Sequence, residues 1–297
     1  EIQSTLSGTA IYNTGKESIK FMGHGIIDYS PCYGRGTISF ENVNNVEFNG
    51  VIVINSSSWT LCMTACQNVS VSEILFLGYR TCSDGVMLSD CKHALVENNF
   101  IRTGDDAFET KSTSGGSYTE DVWFKNNAAW TDKAIAYGCV YEAAHDTSDV
   151  HFEDCSVGFA LGNWSGHIGC CVIQLGNRRK AKTSNVTFNN IEVYMNYSPS
   201  LLTCYIGGSG GAGEGYGIIE DIYFSNIKCY FNVGYFLYLR TCDSQNCQIK
   251  TLYLDNIVAN DVLLTSTNYT NSKNLYNGIV GTYSMKNIKV NTLIEGL

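Results

Sequence analysis

Three aspartates in two short segments offer the clearest chemistry in this sequence. They are Asp84 in Cys82-Ser-Asp84-Gly85, and Asp105 and Asp106 in Thr103-Gly-Asp105-Asp106-Ala107. Carboxylates held close together repel, which raises at least one pKa and leaves a protonated acid beside an ionised base. That pairing suits glycoside hydrolysis, where one carboxylic acid protonates the leaving oxygen and a carboxylate activates water. Asp-Gly and Gly-Asp-Asp also serve as plain turn formers or calcium ligands. The scaffold decides whether the three meet.

That scaffold is written as a repeat. An apolar-x-apolar pair recurs at Val46, Val69, Ala94, Val122, Val150, Val186, Ile222, Leu252 and Ile288, with spacings of 23 to 36 residues. Each copy alternates apolar and polar residues, the signature of a strand with one buried face. Asn or Asp often follows, at Asn126, Asp154, Asn190, Asn226 and Asn256. Such side chains tolerate left-handed conformations and can bond the backbone of the next layer. A helical solenoid would instead show apolar positions at i, i+3, i+4 and i+7. The pattern predicts an all-β chain, a right-handed parallel β-helix of about nine or ten coils. A β-propeller and a β-sandwich are the alternatives. No domain boundary is visible, so residues 1–297 read as one β-helix domain, either trimmed at its ends or with caps too short to recognise.

Stacked coils bring equivalent positions about 4.8 Å apart. Asp84 lies 15 residues after Val69, and Asp105 and Asp106 lie 11 and 12 after Ala94. With small differences in loop length, all three fall on one face of consecutive coils. Asp105 and Asp106 can both reach that face only if the backbone bends, which Gly104 would permit.

Composition excludes other classes. With 19 basic and 28 acidic residues the net charge is −9, so no nucleic-acid partner is expected. No apolar run is long enough for a transmembrane helix, and no membrane partner is expected. No basic-then-apolar leader precedes Glu1, so any signal peptide is expected to have been removed or never present. The 13 cysteines lack zinc-ligand spacing, and many are expected to act as small buried apolar residues. Sequons at Asn55, Asn68, Asn163, Asn185, Asn196 and Asn268 fit a secreted protein. Gly208-Ser-Gly210-Gly-Ala-Gly213 matches a dinucleotide fingerprint, but a strand rather than a helix follows it. No metal or cofactor is expected.

Ser83-Asp84-Gly85, Thr103-Gly-Asp105-Asp106 and Lys111 resemble the Asn-Thr-Asp-Gly and Gly-Asp-Asp motifs of glycoside hydrolase family 28, the polygalacturonases. They also resemble the corresponding segments of family 49, which includes dextranase and isopullulanase. Both are families of inverting β-helix enzymes. The resemblance implies Asp105 as general acid, with Asp84 and Asp106 holding the attacking water. Two features depart from family 28. Where Gly-His-Gly is expected the chain reads Ala136-Tyr137-Gly-Cys-Val-Tyr-Glu142, and the uronate-gripping Arg-x-Lys is missing. Arg178-Arg-Lys180 stands in a different context, and Val172-Ile-Gln-Leu-Gly176 looks closer to family 49. An acidic chain without the clamp suits a neutral α-glycan such as dextran better than a pectic chain. Polygalacturonate hydrolysis is the alternative, followed by a lyase or a non-catalytic carbohydrate-binding β-helix.

Trp59, Trp130, Trp164 and Tyr137 could stack on sugar rings, and Lys111 and Glu142 could contact substrate. Glu109, Lys133 and His145 are further polar candidates in or near neighbouring turns. The expected partner is a polysaccharide or oligosaccharide, bound by a monomer.

Overall fold

The computed structural model describes residues 2–3, 11–31, 37–112, 118–162, 171–177, 181–197, 200–206, 217–230, 235–240, 247–259, 261–265 and 284–290. These residues form a right-handed parallel β-helix with no helix among them. Its strands belong to a 17-stranded and a nine-stranded sheet. All strand pairings are parallel except one short antiparallel contact between Cys247–Ala259 and Val262–Leu263.

The nine repeat anchors lie on a single register line. Val46 pairs with Val69 and Val69 with Ala94, and the line continues through Val122, Val150, Val186, Ile222, Leu252 and Ile288. Two residues further along each strand runs a second inward column. In it Phe124, Phe152, Phe188 and Phe224 stack with centroids 4.6, 4.6 and 5.2 Å apart. Offset stacking adds to the area these rings remove from water.

The corner asparagines behave as their side chains require. Asn126, Asp154, Asn190, Asn226 and Asn256 all hold φ between 49° and 54°. Their amides bond the side chain of the neighbouring coil rather than its backbone: Asn126 to Asn98 Oδ1 at 2.7 Å, Asn190 to Asp154 Oδ1 at 2.7 Å, Asn256 to Asn226 Oδ1 at 2.9 Å. Just inside this corner, buried Asn99 donates to Asn127 Oδ1 at 2.9 Å, and Asn127 donates to Val96 O at 2.8 Å.

Eight of the described cysteines carry free thiols, and seven of these are buried, as small apolar residues would be. The nine-stranded sheet positions the aspartates. Its strands Leu61–Thr64, Val86–Ser89, Phe108–Ser112 and Tyr137–Ala143 pair in order, each entered by a turn from the other sheet.

Candidate active site

Leu61, Val86, Phe108 and Tyr137 share one register line. Counting back two residues places Trp59, Asp84, Asp106 and Ile135 at equivalent points of four successive coils. Backbone bonds confirm the stacking: Gly85 N to Asp106 O at 2.8 Å, Thr60 N to Asp84 O at 2.8 Å, and Ala107 N to Ile135 O at 2.9 Å. The unequal offsets in sequence come mostly from a register shift between Leu77 and Thr81, with the rest in the turn before Asp84, so that the coil carrying Asp84 is longer. Asp84 therefore stands against Asp106, and Asp105 is one position earlier, level with Ser83.

The bend at Asp105 is pinned by hydroxyls. Thr103 and Thr131 both donate to the Asp105 carbonyl, at 2.6 and 2.8 Å, while Ser83 Oγ accepts the Gly104 amide at 2.9 Å. The Asp105 carboxylate accepts the Asp106 amide at 3.1 Å. Gly104 is required for a reason other than the expected backbone freedom. It holds no positive φ, but a Cβ there would sit 2.3 Å from Arg80 O. A Cβ on Gly85 would meet Ala107 O at 2.2 Å. Both glycines allow main chains to approach.

Strand alternation sends Phe108 and Thr110 inward, and Glu109 and Lys111 onto the outer face beneath the aspartates. Carboxylate oxygens of Asp84, Asp106 and Glu109 lie within 4.8 Å of one another. The Lys111 ammonium sits among them, 3.4 Å from Asp84, 3.1 Å from Glu109 and 2.8 Å from Glu142. It also lies 4.8 Å from the centroid of the Trp59 ring. Asp84, Glu109 and Lys111 are buried, at 2%, 0% and 4% exposure.

Burial controls the protonation of this group. It pushes Asp84 up to about 7, with Lys111 opposing the rise and Asp106 adding to it. Burial also raises Asp106, and it holds Glu109 well above the ordinary carboxylate range despite Lys111. For Lys111 burial works the other way, but Glu109, Asp84, Glu142 and Asp106 outweigh it and keep the ammonium protonated. Burial thus favours the protonated form of these carboxyl groups, and Lys111 favours the ionised form. Three carboxylates at this spacing have the donor set of a cation site, and the Lys111 ammonium contacts two of them, Asp84 and Glu109.

Not every expected residue joins the site. Tyr137 does not: it is fully buried inside the coil, stacked on Phe108 at 5.5 Å, with its one hydroxyl proton shared between Asn127 O and Ser156 O, each 2.8 Å away. It shares the inward phase of Phe108, so no sugar can reach it. Trp130 is no free platform either. Phe159 stacks on its ring at 5.0 Å and the Arg102 guanidinium lies 5.4 Å from its centroid. Lys111 is buried and paired with Asp84, Glu109 and Glu142, so its ammonium is engaged within the site. Trp59 is 40% exposed and Glu142 is partly exposed beside Lys111, so both remain open to a ligand. Trp164 and Arg178-Arg-Lys180 lie outside the described residues. Glu109 is a floor residue of a strand, not a turn residue. The i, i+2 pairing of Glu109 with Lys111 after inward Phe108 is the signal that places it there.

Comparison with known proteins adds a family. The profile of Glycosyl hydrolases family 28 matches residues 35–248. "Exopolygalacturonase clone GBGE184" of Arabidopsis thaliana is 23% identical over 201 residues, covering 65% of this chain and 43% of that protein. "Exopolygalacturonase B" of Aspergillus niger is 23% identical over 215 residues, covering 67% and 46%. The chain thus spans about half the length of the curated relatives it matches. Among solved structures, an exopolygalacturonase from Thermotoga maritima superposes with a TM-score of 0.61 at 19% identity, covering 88% of this chain and 56% of that one. That likeness supports the β-helix fold. Of the two families the sequence resembles, family 28 is the one matched.

Proposed function

The chain belongs to glycosyl hydrolase family 28, and on that premise we propose that it hydrolyses the α-glycosidic bonds of a galacturonan-type pectic polysaccharide with inversion. The observation that carries this reading is the alignment of Asp84 and Asp106 on adjacent coils, their oxygens within 4.8 Å. That spacing lets two carboxyl groups share one water. Asp105, on the bend beside them, is the general acid that protonates the glycosidic oxygen. Trp59 and Glu142, both partly exposed beside Lys111, flank the aspartates and are open to a sugar. The exopolygalacturonase relatives support the pectic alternative over the neutral α-glycan suggested by the missing Arg-x-Lys.

The electrostatics set a condition on such a substrate. An anionic chain enters most readily while Asp84 and Glu109 are protonated, which leaves the cluster least negative. As pH climbs through about 7, Asp84 ionises. Ionisation completes the carboxylate pair that activates water, but the added negative charge opposes a uronate, so KM on polygalacturonate should rise across that range. KM on neutral glycans should change less.

Reducing-sugar release from polygalacturonate, compared with dextran and pullulan, tests the substrate. Asp105→Asn should lose at least about 100-fold in kcat, the contribution of a general acid. Proton NMR of the first product should show the β-anomer. An initial α-anomer, or release from dextran alone, overturns the reading.

A further inference from the structure

Glu109 belongs to neither of the aspartate motifs, yet it is the most buried carboxyl group in the site, at 0% exposure. It projects from the outer face of Phe108–Ser112, between Met87 on the coil to one side and Gly138 on the other. Gly138 has no side chain to fill the space beside it. One Glu109 oxygen lies 3.1 Å from the Lys111 ammonium, and neither oxygen has a hydrogen-bond partner of good geometry. One oxygen of Asp84, Oδ1, is likewise buried without a partner. Two buried acceptors left side by side are costly, and a single proton between them removes the cost.

We infer that Glu109 is a positioning residue, whose acid form donates a hydrogen bond to the Asp84–Asp106 pair and orients the oxygens that hold water. The charged and titratable groups facing it are Asp84 and Asp106 from the turns, Lys111 on its own strand, Glu142 on the next strand and Cys62 two coils away. Burial favours a proton on Glu109, whereas Lys111 opposes it. Hydrogen bonding in the direction proposed stabilises the ionised aspartates. Glu109 thereby keeps one more negative charge out of a site where, among the described residues, Lys111 is the cation paired with the carboxylates. It does so without touching substrate.

The kinetic part of the test rests on the proposed hydrolysis, so it is paired with one that does not. Glu109→Gln keeps a donor that cannot ionise, whereas Glu109→Ala removes the donor. On polygalacturonate, Glu109→Gln should keep kcat within about threefold and extend activity to higher pH. Glu109→Ala should lose roughly 10–100-fold in kcat with little change in KM, the scale of a misplaced reacting group. If both variants match the parent in kcat and pH profile, or if Glu109→Gln is as impaired as Glu109→Ala, the inference fails. Independently of turnover, the infrared difference spectrum of parent minus Glu109→Gln at pH 7 should contain the carbonyl stretch of a protonated carboxyl group. Its absence overturns the inference even in an active enzyme. Its presence in a protein inactive on polygalacturonate sinks the substrate reading alone.

Discussion

The strand Phe108–Ser112 has two sides that are buried equally and built on opposite principles. Facing inward, Phe108 stacks on Tyr137 at 5.5 Å and meets Phe124 of the facing sheet edge-on at 6.2 Å, in an apolar column with Leu61, Val86 and Tyr137. Facing outward, Glu109 and Lys111 have no counterparts in the coils above and below. At the register of Glu109 stand Cys62, Met87 and Gly138. The inner side gains stability from apolar sameness, because each apolar side chain rests on another in the next coil. The outer side carries different residues in each coil, and chemistry is possible only there. Repetition supplies the frame, and its local failure supplies the site.

Perturbing each side should separate these principles. The largest effect is expected inside the coil. Phe152→Ala removes a ring stacked on both faces and should cost about 3–5 kcal/mol. Chemical denaturation should give the same loss at pH 5 and pH 8. A marked pH dependence would tie the core to the charged side and break the contrast.

Lys111→Met should cost about 3 kcal/mol at pH 8, because it strands carboxylates around a vacated cation position. At pH 5, where Asp84 and Glu109 hold protons, the cost should shrink. An equal cost at both pH values would show that Lys111 acts by packing.

Asp84→Asn should act in the opposite direction. Its pKa rises from 3.8 unfolded to about 7 folded. The unfolded chain therefore releases this proton first, and the folded state loses stability as pH climbs between those values. The asparagine variant is spared that loss, and should be more stable than the parent by about 1–2 kcal/mol at pH 8 and by less at pH 5. A variant less stable than the parent at pH 8 would mean that the Lys111 ion pair outweighs burial.

The smallest effect is expected at the corner. Asn190→Ala places a methyl-bearing residue at φ 54° and should cost about 1 kcal/mol. Melting temperature should drop by a few degrees with no effect on hydrolysis.

The coil was the most legible part of this sequence. The apolar-x-apolar pairs are spaced irregularly, yet Val46 through Ile288 fall on one register line, because loops absorb the differences in length. The corner asparagines could be read for the same reason: their side chains suit a left-handed turn wherever it occurs. The site was only partly legible. Asp84 and Asp106 could be placed on one face by counting, but which aspartate stands opposite Asp84 depended on the bulge before Thr81. No local pattern announces that bulge. Tyr137 looked like a sugar platform because it is aromatic and near the motif, but its strand phase sends it inward with Phe108. Trp130 failed differently, since its partners Phe159 and Arg102 come from neighbouring coils that spacing alone does not align.

Two hydrogen atoms set the gauge of this site. At Gly85 and Gly104 the main chains of neighbouring turns touch, with no side chain between them. No change of rotamer can widen or narrow the separation they impose, so the stance of Asp84 against Asp106 is a property of the backbone. Any adjustment of the site has to come from side chains and loops around the two aspartates. A chain with any other residue at either position would still wind into coils, but the spacing between Asp84 and Asp106 would change.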